Sequence, residues 1–207
     1  MPLARLTEES SILDEAFYCR PAVEVARDLL GKVIVRGRTA GRIVEVEAYL
    51  GVSDLAAHAS AGVTARTQVL FGPPGRAYVY LIYGMYECLN FVAEPDGEAG
   101  CVLIRALEPV CGIPLMRRRR PAARRPEDLC SGPGKLTAAM AITRADNGAN
   151  VTVPGKFVVR RLAEEASLEI DTSTRIGVTR CADWPLRFFV RGNRFVSEHP
   201  AAPRGLH

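Results

Sequence analysis

Two carboxylates, Glu45 and Glu47, stand two residues apart in Arg42–Tyr49, a run that alternates as a strand does. Alternation sends Val44, Val46 and Ala48 to the core and Ile43, Glu45, Glu47 and Tyr49 to the other face. Close carboxylates suit acid–base work at a glycosidic bond, in sugars as in nucleosides. One can take a proton from water while stabilising an oxocarbenium-like cation. Spacing alone leaves open which glutamate acts, and a solvated pair is the plain alternative.

Other residue types point to partners for such a pair. Four of the six tyrosines fall between Tyr78 and Tyr86. Tyr83 and Met85 flank Gly84, where a hairpin tip is expected, and an aromatic or apolar tip can wedge between stacked bases. Arg105 stands in the apolar run Cys101–Leu107, where a charge needs a partner; Glu47 and Glu108 are the candidates. Asn90, polar among apolar neighbours, reads as a buried side chain with a bonding role. His58 lies in a loop that continues to Arg66, and a lone loop histidine is more often structural. Ser131–Gly–Pro–Gly–Lys135 opens a helix and suits a phosphate, but lacks the spacing of a nucleotide-binding phosphate loop.

The elements that position these residues follow from pattern and punctuation. Residues 21–30 read as a helix with Val23, Leu29 and Leu30 on its apolar face, ended by Gly31. Strands are expected over 32–36, 42–49, 77–81, 85–92 and 101–106, with shorter ones over 151–153, 157–161, 175–179 and 186–190. Residues 51–76 read as an ordered loop, 135–142 as a helix, and 116–131 as a loop excursion. Strands outnumber helices and sit close enough for hairpins. The expected fold is one α+β domain over 1–207, mainly antiparallel sheet with flanking helices and a protruding tyrosine-tipped hairpin. Short flexible termini are expected at about 1–10 and 198–207.

Bulk properties exclude several classes. The chain has 207 residues, 48% hydrophobic, enough for one good core. No stretch approaches the roughly 18 apolar residues of a membrane span, and no secretory h-region is visible. The expected location is cytoplasmic and nucleoid-associated in a prokaryote, nuclear in a eukaryote. Six cysteines lack any Cys-x-x-Cys pair, so neither a metal site nor a cofactor is expected, and the thiols should be buried small apolar groups. Net charge is +4, yet six arginines crowd residues 117–125. Such a run either faces an anion such as nucleic acid or is a solvated loop.

Six segments resemble, in order, the alkyladenine (3-methyladenine, methylpurine) DNA glycosylases. They are Gly41–Gly51, Phe71–Gly75, Ala77–Tyr86, Cys101–Pro109, Leu129–Leu136 and Pro185–Gly192, and the likeness runs from about residue 22 to 196. The resemblance implies that Glu47, the second glutamate of E-x-E-A-Y, is the general base and that Arg105 holds the same water. It implies that Tyr49, facing His58 and Tyr80, sandwiches a flipped purine, and that Asn90 disfavours guanine. Tyr83, beside Met85, fills the gap in the duplex; Lys135 and Arg66 touch the DNA backbone. Ala65–Arg66–Thr67 departs from the family's Pro-Arg-Asn, and 143–175 matches loosely, so no roles are carried there.

The implied reaction is a monofunctional excision from double-stranded DNA. An alkylated or deaminated purine (3-methyladenine, 7-methylguanine, hypoxanthine, ethenoadenine) flips out, and its N-glycosidic bond is hydrolysed to leave an abasic site. The enzyme is expected to work as a monomer, in base excision repair. Two other classes compete with this: a nucleosidase or glycosidase acting on free substrates, and a non-catalytic DNA-binding relative. A bifunctional route needs a lysine or an N-terminal proline; Pro2 is not followed by the acidic residue that proline-first glycosylases carry, and Lys32, Lys135 and Lys156 all lie outside the aromatic cluster.

Overall fold

The computed structural model describes residues 3–8, 10–164 and 167–197. Five α-helices and nine β-strands are assigned among them. The strands are β1 (Ser10–Ile12), β2 (Val33–Arg36), β3 (Thr39–Tyr49), β4 (Ala77–Ile82), β5 (Tyr86–Ala93), β6 (Gly100–Cys111), β7 (Phe157–Leu162), β8 (Ile170–Ser173) and β9 (Arg187–Val190). All their pairings are antiparallel, in the order β1-β7-β2-β3-β6-β5-β4, with β8 and β9 branching from β3. The helices are α1 (Leu3–Glu8), α2 (Glu15–Tyr18), α3 (Ala22–Leu29), α4 (Ile113–Arg119) and α5 (Pro133–Met140). The architecture is the α+β sheet domain expected from the sequence.

β3 is the pivot. It pairs with β6 along its length, while its other edge is shared by β2 at Thr39–Arg42 and β9 at Glu45–Glu47. The carboxylates therefore lie on an interior strand. Strict alternation fails there, because the β3–β6 register shifts between Ile43 and Glu45 and again between Glu45 and Val46. Such an irregularity places an extra residue and redirects side chains. Ile43 consequently joins Val46 and Ala48 in the main core, whereas Val44 packs with Ala106 and Phe195, the reverse of the simple two-residue reading for those two positions.

α3 packs on this core through Ala22, Val25, Ala26 and Leu29, spaced as one helical stripe. Val23 lies only partly buried, so the stripe is rotated from the expected one. Fully burying a side chain such as Leu29 contributes about 1.5–3 kcal/mol. The Glu94 carboxylate accepts from the Ala22 N–H at 2.7 Å and caps the helix from another element.

Several boundaries differ from the sequence reading. Residues 151–153 and 175–179 are irregular; the strand near the second of these is β8, over Ile170–Ser173. The arginine run is partly helical as α4, because Gly112 caps it and Met116 anchors it in the core. Residues 3–8 are helical and 10–12 pair with β7, so much of the expected flexible N-terminus is regular; 198–207 lies outside the described residues. Cys88, Cys101 and Cys130 are buried, but Cys19 is exposed and Cys111 and Cys181 are half-buried. No described helix is long and apolar enough to cross a membrane.

Candidate active site

Glu45 and Glu47 are both fully buried, each on a set of donors. Glu47 Oε1 accepts from the Ile176 N–H at 2.7 Å and from Arg105 Nη1 at 3.1 Å. Its Oε2 accepts from the Tyr49 hydroxyl at 3.0 Å. Glu45 takes Arg105 Nε at 3.1 Å, Arg187 Nε at 2.8 Å, and both the N–H and the hydroxyl of Ser197. Arg105 thus bridges the two carboxylates, resolving its expected pairing toward both of them; Glu108 instead meets Arg42 at 3.7 Å.

The two glutamates differ in surroundings. Burial raises the Glu47 carboxyl above its ordinary range, against the opposing pull of Arg105, the Ile176 N–H and the Tyr49 hydroxyl. A raised carboxyl is the stronger proton acceptor once ionised. Glu45 is enclosed by two guanidiniums and Ser197, an environment that fixes position. Glu47 adjoins an aromatic cleft through Tyr49, whose phenol burial holds protonated so that it donates.

That cleft, about 50 Å³ in volume, is lined by Tyr49, Ala56, His58, Leu70, Tyr78, Tyr80, Asn90 and Cys101. It brings together the four residues expected around a flipped purine. Tyr78 and Tyr80 sit on β4, and the His58 ring meets Tyr80 edge-on at 4.5 Å between centroids. His58 Nδ1 lies 3.0 Å from the Tyr78 hydroxyl, and burial followed by Arg66 pushes the imidazole down to about 4. His58 is therefore neutral near pH 7. Asn90 Nδ2 donates to the Tyr78 carbonyl at 3.1 Å, the backbone-bonding task its polarity suggested.

Arg66 sits at the cleft mouth, 5.1 Å from the Tyr80 ring centre, with Nη2 3.4 Å from His58 Nε2. Its loop is fastened by Thr67, whose buried hydroxyl donates to the Gly62 carbonyl and accepts the Thr64 N–H. The departure from the expected Asn at 67 thus retains a local clasp. Tyr83 and Met85 form the β4–β5 tip and are 82% and 68% exposed, so the wedge candidates project into solvent. Tyr83 and Gly84 both have positive φ, as in the tight primed turns of hairpins. Lys135, in the first turn of α5, borders an open groove of about 610 Å³ with Arg125, Ser131 and Arg194.

Sequence reasoning missed Asp54, Arg175, Ile176, Arg187 and Ser197. Arg187 carried the signal that exposed Arg105, a cation in an apolar strand. The other four sit in irregular segments whose partners are distant in sequence. Among the described residues, no three His, Cys, Asp or Glu side chains gather so as to hold a metal ion.

Residues 16–194 match the family profile described as methylpurine-DNA glycosylase. A relative from Methanocella arvoryzae is 52% identical, covering 90% of this chain and 96% of its own. One from Koribacter versatilis is 48% identical, covering 95% and 98%. One from Methanoculleus marisnigri is 50% identical, covering 89% and 98%. All three carry a provisional 3-methyladenine DNA glycosylase designation.

Proposed function

This chain belongs to the methylpurine-DNA glycosylase family, and from that premise we propose that it excises alkylated or deaminated purines from duplex DNA by a monofunctional hydrolysis in which Glu47 activates the water. The enzyme class is hydrolysis of N-glycosyl bonds. The observation that carries the residue assignment is one juxtaposition. A buried carboxylate with its proton affinity raised by burial bonds directly to Tyr49, a wall of an aromatic cleft, and the cleft's strand leads to an exposed tyrosine tip.

Each step then uses groups already placed. Tyr83 and Met85 enter the duplex and occupy the space of the displaced nucleotide. Extrusion costs a few kcal/mol, less for a damaged base, and stacking on Tyr49, Tyr80 and His58 offsets about 1–3 kcal/mol for the base. The cleft opens to admit the purine, and the nucleotide displaces the Tyr49 hydroxyl from Glu47 Oε2, freeing that oxygen for water. Arg105 holds the Glu47 carboxylate and orients the water. Water attacks the anomeric carbon, its proton passes to Glu47, and the purine leaves with the glycosidic electron pair. A cationic alkylpurine departs as a neutral base; a neutral lesion takes a proton from solvent on a ring nitrogen as it leaves. Asn90, fixed to the Tyr78 carbonyl, disfavours the exocyclic amine of guanine. Lys135 and Arg66 contact phosphates, and one protein molecule suffices for the reaction.

The test is base release from duplexes carrying hypoxanthine or ethenoadenine, read by alkaline cleavage of the abasic site. Glu47→Gln should bind these duplexes and release base at least about a hundredfold more slowly, the scale of general-base catalysis. Release at the parent rate would overturn the assignment.

A further inference from the structure

The walls of the base cleft are not electrically equivalent. Arg175 lies with its guanidinium 4.6 Å from the centre of the Tyr49 ring. Its side chain is wholly buried and is not among the groups that line the cleft, whereas Tyr49 is. Asp54, equally buried, holds the guanidinium through Arg175 Nη1 and Nη2, and Nη1 also donates to the Ala48 carbonyl at 3.1 Å. Asp54 in turn accepts the Leu50 and Ala56 N–H groups, next to the cleft residues Tyr49 and Ala56. A cation is therefore fixed behind one stacking surface by a carboxylate that also shapes the cleft.

A tyrosine ring attracts a cation on its face because that face is electron-rich. A guanidinium on the opposite face draws this density away and adds repulsion through the ring, so a positively charged guest gains less than an uncharged one. We infer that Arg175, which touches neither substrate nor reacting atoms, is a selectivity-setting positioning residue that biases the cleft against cationic purines and toward uncharged ones by polarising the Tyr49 wall from behind. The inference rests on the proposal that Tyr49 stacks on the flipped base. Asp54 moderates the effect by partly neutralising the guanidinium.

Two variants move the bias in opposite directions. Arg175→Gln combined with Asp54→Asn replaces the ion pair by two amides and removes the buried cation. Asp54→Asn alone leaves the cation without its counter-charge while keeping one of the two oxygens that tie residues 50 and 56. Single-turnover release is measured from duplexes carrying 3-methyladenine, a cation, and hypoxanthine, which is uncharged; neither carries the exocyclic amine that Asn90 disfavours. The ratio of the first rate to the second should rise about two- to fivefold in the double variant, on the scale of a partly exposed cation–π contact. It should fall below the parent's in Asp54→Asn. A merely structural role lowers both rates together, so an unchanged ratio in a folded variant, or a shift opposite to that stated, overturns the inference. If one variant fails to fold by circular dichroism, the other decides. A parent enzyme that releases neither base would instead overturn the reading of function itself.

Discussion

At the residue scale, Glu45 and Glu47 are chemically identical side chains set apart by their donors. Glu45 is the shared counter-ion of Arg105 and Arg187. Replacing it with Gln strands the buried Arg187 guanidinium and leaves Arg105 with Glu47 alone, and breaking a buried pair in this way costs about 3–5 kcal/mol. Urea denaturation of Glu45→Gln should show that loss. In Glu47→Gln, Arg105 still has Glu45, and the burial cost that raises the Glu47 carboxyl disappears. That variant should match or exceed the parent in stability while losing base release. His58 supplies a pH test. Its folded value of about 4 lies below the ordinary 6.5, so on acidification the unfolded chain takes the proton first. Its contribution is complete above about pH 6.5 and is lost as pH falls toward 4. The drop in melting temperature between pH 7 and pH 5 should be smaller in His58→Gln than in the parent.

At the element scale, the β4–β5 hairpin departs from what its turn prefers. A non-glycine side chain at positive φ costs about 1–2 kcal/mol, and Tyr83 is 82% exposed, so packing offsets little of it. Tyr83→Gly should therefore be as stable as the parent or up to about 1 kcal/mol more so, allowing for glycine's backbone entropy. Its release of base should be slower, as seen by thermal melts beside single-turnover assays. The hairpin and its tyrosines were legible because punctuation and alternation are local signals. The displacement at Ile43–Val46 was not, because an irregular register depends on the neighbouring strand β6. α4 was missed for a similar reason. Its arginines repel as an isolated segment, but Arg119 donates to the Ala139 carbonyl and Arg120 to those of Asp128 and Leu129, acceptors on other segments.

At the scale of the whole molecule, the cations divide into those whose hydrogen bonds hold segments of the protein together and those that border open surface. Arg120 belongs to the first group, and Lys135 borders an open groove. Lys135→Ala should weaken binding to every duplex and lower the slope of log affinity against log salt by about 1. Arg120→Ala should leave that slope unchanged and cost about 1.5–3 kcal/mol of stability, the worth of hydrogen bonds from a charged group. Fluorescence anisotropy across a salt series separates the two. The α+β class, the pair of carboxylates, the aromatic segment and the arginine that must be paired were all readable from short runs, because alternation, turn residues and the cost of a buried charge are local properties. The folded chain was needed to see that Arg105 bridges both glutamates, that Ile176 and Tyr49 grip Glu47, and that Arg175 stacks on the Tyr49 wall. Apart from Tyr49 with Glu47, those contacts join distant positions, 60 apart for Arg105 with Glu45 and 129 for Ile176 with Glu47, and one-dimensional periodicity holds no information about which distant charges share a buried site.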